Sequence, residues 1–395
     1  MQTDIRSYLV VTAGYWAFTV TDGALRMLVV LFFHQLGYTP FEIAMLFLFY
    51  EFFGVVTNLV GGWLGTRIGL NRTMHIGMAM QVVALAMLAI DPQFLTVIYV
   101  MCAQALSGIA KDLNKMSAKA SVKLLLPGAD QNAQLFKWVA ILTGSKNSLK
   151  GCGFFVGGAL LYTVGFQSAV LVLALLLLVV LACTWILLPQ ELGKTKVKQK
   201  FSRVFSPSRA INLLSAARFF LFGARDVWFV VALPVFLAGI LEWSYLQVGS
   251  FLACWVIAYG VVQSFAPKLL GSNRSGRSAL VLVLALAFIP GGIALAMSNL
   301  SSTAAVLIIG LAIFGIVFAL NSAVHSYLAV AWSDREKVAM NVGFYYMANA
   351  GGRLIGTVLS GWSYQSLGLQ GSLWISTGML ALATVISLAF PQNAS

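Results

Sequence analysis

The chain has 395 residues, 60% of them hydrophobic and only 9% charged. Soluble domains carry about 25% charged residues, so a water-soluble globule is excluded, and intrinsic disorder, nucleic-acid binding and a small disulfide scaffold go with it. Lysine and arginine outnumber aspartate and glutamate by 25 to 12, a formal charge of +13 whose meaning depends on where the charges fall.

Crossing a bilayer takes about 20 mostly apolar residues as a helix. Reading along the chain gives twelve such stretches, at 8–33, 41–64, 73–91, 94–119, 135–164, 167–188, 210–239, 243–267, 278–298, 303–331, 338–364 and 371–390. The polar opening Met1–Tyr8 runs into the first of these with no small-residue cleavage site, which fits a retained span rather than a removed signal peptide. Cys102, Cys152, Cys183 and Cys254 fall inside apolar runs without paired or metal-like spacing and are expected to be small core residues.

The connections alternate in charge. Those after the odd-numbered spans hold no lysine or arginine, as in Gly37–Pro40, Asp91–Gln93 and Asn299–Ser302. The others carry Arg67 and Arg72; Lys119 and Lys123; Lys194 to Arg209; Lys268, Arg274 and Arg277; Arg335 and Lys337. Basic residues stay on the cytoplasmic side of a membrane, so both termini are expected there. Much of the +13 is then an orientation signal.

The longest basic connection, 189–209, falls near mid-chain and reads as a cytoplasmic linker between six-span halves at 1–188 and 210–395. The halves echo each other. Asp22-Gly-Ala-Leu-Arg26 in the first span answers Gly223-Ala-Arg-Asp226 in the seventh, and the stretch 62–72 answers 266–277. Two six-span repeats describe an all-α polytopic membrane protein of the major facilitator fold, with twelve helices in two pseudo-symmetric bundles. The stretch Gly62–Arg72 resembles the gating-loop signature of that superfamily, with Gly62, Leu64, Gly65, Arg67 and Gly69 in place. Thr66 stands where the superfamily carries an acidic residue, so the latch that residue forms elsewhere is not implied here. A tight glycine turn with cytoplasmic arginines, Arg72 among them, explains much of the stretch by itself.

Charges inside the spans are costly and mark function by default. Asp22, Arg26, Glu51, Lys146, Lys150, Arg225, Asp226 and Arg353 lie deep, and Lys111, Asp112 and Lys115 sit in the cytoplasmic half of the fourth span. Basic residues exceed acidic ones by seven to four, which points to a cavity short of counter-ions and completed by an anionic small molecule. Asp22 and Arg26, Lys111 and Lys115, and Lys146 and Lys150 are each four residues apart and so share a helical face. Asp22–Arg26 reads equally as an internal ion pair. Two lysines on one stripe need an anion or an acid between them. Neighbouring side chains point about 100° apart, so Arg225 and Asp226 are expected not to pair along their helix. Arg353 follows Gly351 and Gly352 and reads as an anion ligand or as a helix-packing clamp. Asn147, Tyr345, Tyr346, Asn349, Asn321 and His325 are the neutral groups at similar depth, while Asp22, Glu51, Asp112, Asp226 and His325 are candidates for proton coupling or ion pairing. Gly151, Gly153, Gly157 and Gly158 resemble the glycine-rich element of superfamily antiporters and serve helix packing equally well.

An arginine in the first span and another in the seventh resembles the organophosphate antiporters of the superfamily. Longer stretches narrow the likeness: residues 15–28, 49–65, 107–119, 142–151 and 221–237 resemble the ArsJ family of bacterial organoarsenical efflux permeases, and the likeness extends over nearly the whole chain. That resemblance implies efflux of 1-arseno-3-phosphoglycerate across the bacterial cytoplasmic (inner) membrane, arsenate resistance, and a functional link to glyceraldehyde-3-phosphate dehydrogenase, which makes the ester. Such a molecule carries an oxyanion at each end, matching two basic clusters. No nucleotide-binding loop is present, so transport is expected to be secondary, by a monomer without a cofactor. An organophosphate or sugar-phosphate exchanger is the alternative within the superfamily. A polytopic membrane enzyme is the alternative of another class, and the scattered His34, His75 and His325 give it little to work with.

Overall fold

Inside hydrocarbon every backbone N–H and C=O must find a partner within the protein, and a helix supplies them locally. The computed structural model is accordingly helical throughout the residues it describes, which are 2–125, 132–188, 208–270, 275–300, 302–332 and 338–391. The helices are α1 (Gln2–Gln35), α2 (Pro40–Leu46), α3 (Leu48–Ile68), α4 (Leu70–Leu88), α5 (Val97–Leu125), α6 (Asn132–Leu187), α7 (Arg209–Phe229), α8 (Ala232–Gly239), α9 (Tyr245–Leu270), α10 (Gly276–Asn299), α11 (Thr303–Ala331) and α12 (Val338–Ser387). Among the described residues, eight helical stretches are long and apolar enough to cross a membrane. Most of the linker expected at 189–209 lies outside the described residues.

Side-chain placement follows a lipid solvent. Ile186, Phe288 and Ile98 are 81%, 72% and 72% exposed, while Asp112, His75, Gln81 and Gln104 are no more than 1% exposed. A water-soluble chain would do the reverse. The four cysteines follow the same logic and correct the expectation of a core role: all are exposed on helix surfaces, where lipid rather than protein covers a small apolar group.

Local chemistry explains the breaks. Thr39 and Glu42 form a reciprocal capping box and Pro40 opens α2, so the predicted span 41–64 is two helices that join at Phe47. The predicted span 210–239 also divides. Pro234 lacks an N–H and its ring crowds the carbonyl four residues back, at Val230, where α7 ends. Ser360 Oγ accepts the freed Val231 and Ala232 N–H groups at 3.2 and 3.1 Å. Conversely, α6 and α12 run 56 and 50 residues and turn at Gly165 (φ 76°) and Gly368 (φ 66°), left-handed conformations that glycine tolerates. Both turns lie where sequence placed a boundary between spans. The stretch Gly62–Arg72, by contrast, is not a loop. Helix α3 continues to Ile68 and a single residue, Gly69 at φ 95°, separates it from α4.

Backbone contacts divide the chain into two compact units. The N-terminal unit comprises Met1–Phe32, Val56–Phe201 and Tyr245–Ile257. The C-terminal unit comprises Phe33–Val55, Ser202–Ser244 and Ala258–Ser395. In the first, α4 packs on α5 and α6; in the second, α12 packs on α7, α10, α2 and α8.

Candidate charged sites and family membership

In the N-terminal unit, α1 and α6 approach closely because glycines face each other. A Cβ at Gly23 would stand 2.7 Å from the Lys150 carbonyl oxygen. That approach sets Lys150 Nζ on α6 3.8 Å from Asp22 Oδ2 on α1. Lys150 also lies 5.9 Å from the Phe154 ring centre. Lys146 and Asn147 are half-buried on the same stretch of α6, and Arg26 is buried on α1. A second group forms on α5. Asp112, 1% exposed, accepts from Lys115 Nζ at 2.5 Å and stands 3.7 Å from Lys111 Nζ. Lys115 also donates to Asn58 Oδ1 on α3 at 2.7 Å.

The C-terminal unit holds a continuous chain of charge. Arg225 Nε donates to Asp226 Oδ1 at 2.7 Å, and its Nη2 also reaches that oxygen. Arg353 Nε donates to the other oxygen, Asp226 Oδ2, at 3.0 Å, and Arg353 Nη2 to Glu51 Oε1 at 2.7 Å. The expected failure of Arg225 and Asp226 to pair is therefore corrected. A long guanidinium side chain folds back far enough to overcome the divergence of adjacent positions. Glycine again sets the register, because a Cβ at Gly356 would stand 2.6 Å from the Gly223 carbonyl oxygen, bringing α12 against α7. Asp226 and Glu51 are at most 1% exposed, so the chain is a buried clamp of α3, α7 and α12.

Each of the four deep carboxylates, Asp22, Glu51, Asp112 and Asp226, has a basic neighbour. Sequence reading missed Arg218, seven residues before Arg225 on the same face of α7 and 5% exposed. Its Nε donates to Asn349 Oδ1 at 2.9 Å and its Nη1 to Ser322 Oγ at 3.1 Å, and its guanidinium lies over the Phe222 ring at 3.9 Å and the Tyr345 ring at 5.1 Å. The signal was available: a basic residue inside a predicted span, two helical turns from one already chosen. Asn349 and Tyr345 thus gather around Arg218 rather than Arg225. His325 and Asn321 are buried on α11, and Asn321 Nδ2 donates to the Ala279 carbonyl at 3.0 Å. Tyr346 packs edge-on against Tyr345. Of the expected gating residues, Gly69 and Arg72 are described, Arg72 as exposed, while the side-chain positions of Gly62, Gly65 and Arg67 lie outside the described residues.

A family profile described as the Major Facilitator Superfamily matches residues 11–228 and again 214–395. The chain belongs to that superfamily. Its fold is similar to that of a proton-dependent oligopeptide transporter, with a TM-score of 0.72 at 17% identity over 97% of this chain and 98% of that one. It is also similar to a mutant of the nucleoside transporter NupG, with a TM-score of 0.73 at 13% identity over 98% and 99%. No curated protein sequence matches significantly. Superfamily membership makes this a multi-pass membrane transporter rather than an enzyme.

Proposed function

We propose that this superfamily member is a secondary exporter of an organic polyanion, 1-arseno-3-phosphoglycerate, acting by alternating access in a bacterial inner membrane and conferring arsenate resistance. On this reading the chain crosses twelve times with both termini cytoplasmic. One observation carries the reading. Among the described residues the helices enclose eight buried or half-buried cations (Arg26, Lys111, Lys115, Lys146, Lys150, Arg218, Arg225 and Arg353) and four buried carboxylates (Asp22, Glu51, Asp112 and Asp226). Charge in a low dielectric is compensated or expelled, so the surplus favours a cargo with several negative charges. The resemblance over residues 15–28, 107–119 and 142–151 supplies the particular ester. Export of an anion from a cell that is negative inside runs down the electrical gradient and needs no obligatory proton.

The test is arsenate survival of a sensitive strain carrying the chain together with glyceraldehyde-3-phosphate dehydrogenase. Protection is expected with wild type and lost in Arg26→Ala and Lys146→Ala. Absence of protection, or protection untouched by both substitutions, rejects the reading. Everted vesicles then compare labelled 3-phosphoglycerate with the arseno-ester; equal uptake identifies a general organophosphate exchanger instead.

A further inference from the structure

Arg218 differs from the other arginines of the C-terminal unit in the company it keeps. Arg225 and Arg353 share the Asp226 carboxylate, and Arg353 also holds Glu51. Arg218 makes its two hydrogen bonds to neutral acceptors, and among the described residues no carboxylate oxygen lies within ion-pair distance of it. A guanidinium has five N–H donors and does not give up its proton in a protein. The ring faces of Phe222 and Tyr345 offset part of the burial cost and supply no negative charge.

Two further polar groups sit beside it without partners. Both ring nitrogens of His325 lack a hydrogen bond; the residue is 1% exposed on α11, three residues beyond Ser322, which accepts from Arg218. Ser215 Oγ, 2% exposed and three residues before Arg218 on the same face of α7, also lacks one. Buried polar groups are nearly always satisfied, and exceptions mark a function. A fixed cation with two orphaned hydrogen-bonding groups, Ser215 on its own helix and His325 on α11, suits an anion with several acceptor atoms pointing in different directions.

We infer that Arg218, with His325 and Ser215, forms the anion site of the C-terminal unit and takes a compact tetrahedral oxyanion of the phosphate or arsenate class. This deepens the polyanion-export reading and rests on it, because it moves the C-terminal grip on the cargo from Arg225 to Arg218. Arg225 is left to the clamp with Asp226. A halide would neutralise the charge but gives the diverging donors no directed acceptors, and a planar carboxylate serves donors in one plane.

The test uses the purified full-length chain in lipid nanodiscs, titrated with inorganic phosphate at constant ionic strength by calorimetry. Wild type is expected to bind phosphate. Arg218→Gln retains an amide donor for Asn349 and Ser322 and is expected to melt within a few degrees of wild type, yet to bind phosphate about tenfold more weakly or worse, the value of a lost charged hydrogen bond. Arg218→Lys keeps the charge without the fork and is expected to fall between them. No phosphate binding by wild type, equal affinity in Arg218→Gln, or displacement of phosphate by equimolar chloride overturns the inference. Uptake of the labelled arseno-ester, 1-arseno-3-phosphoglycerate, by everted vesicles separates the two readings. Uptake with an unchanged KM in Arg218→Gln rejects this site and leaves the exporter standing. Arg218-dependent phosphate binding without uptake keeps the site and rejects the exporter.

Discussion

In the C-terminal unit, charges meet through guanidinium forks at 2.7–3.0 Å, with Asp226 gripped on both oxygens and Arg353 bridging two carboxylates. In the N-terminal unit, Lys150 stands 3.8 Å from Asp22 and Lys111 3.7 Å from Asp112, while Lys115 closes to 2.5 Å. Both units must neutralise charge in lipid, yet they do so with different side chains. Arginine's planar fork fixes two acceptors at once, whereas a lysine is a point charge on a flexible stem. The first arrangement holds α3, α7 and α12 in register. The second joins lysines to carboxylates over longer distances, and on the proposed reading those lysines meet the cargo.

The sharpest way to break that comparison is Asp226→Ala. Two arginines then lose their common carboxylate inside the bundle, and removing one partner of a buried pair costs about 3–5 kcal/mol. The variant is expected to melt far below wild type in detergent or to fail to accumulate. Wild-type melting would show that the arginine chain is not a framework. Glu51→Gln is gentler, since the amide oxygen still accepts from Arg353 Nη2. A loss of about 1.5–3 kcal/mol is expected, the worth of a hydrogen bond to a charged group. The double variant Glu51→Leu with Arg353→Met removes both charges and is expected to melt above the single Arg353→Met, which takes the arginine away from a buried carboxylate. Gly352→Ala tests the approach that makes the chain possible. The added methyl would overlap the Phe219 carbonyl on α7, and overpacking of this kind costs about 1–3 kcal/mol. Unchanged melting would mean that α12 has room to move off α7.

The long-range design was legible because lipid imposes it. Long apolar runs are a consequence of the solvent, and the superfamily expected from them and from the repeated motifs is the one whose profile matches the chain. The breaks at 165 and 368 were also visible, since glycine follows each apolar run there. The continuity of α3 through Thr66 was not, because a glycine-rich arginine stretch reads as a turn whether or not the helix continues through it. Charges were found as members and missed as partnerships. Spacing of four correctly put Lys111 and Lys115 on one face, but whether Asp22 answers Arg26 or Lys150 depends on how closely α6 approaches α1. Arg218 escaped for a related reason: depth counted from a span boundary does not reveal that Phe222, Asn349 and Ser322 close around a side chain nearer the end.

Lys150→Gln gives the smallest stability effect and the most discriminating functional one. The pair with Asp22 is long, and Lys150 keeps 18% of its side-chain surface accessible. Glutamine keeps an N–H donor on the same stretch of α6, so the loss is expected near the lower end for a charged hydrogen bond, about 1.5 kcal/mol, and the melting temperature is expected to move by a few degrees. If Lys150 meets the cargo, the same substitution removes a charged contact worth about 1.5–3 kcal/mol, and uptake of labelled 3-phosphoglycerate at subsaturating concentration falls by roughly tenfold to a hundredfold. A structural lysine would show the reverse, with melting lowered and uptake per folded molecule preserved. The ratio of the two effects therefore decides whether the loose lysines of the N-terminal unit differ in purpose, and not merely in geometry, from the arginine chain of its counterpart.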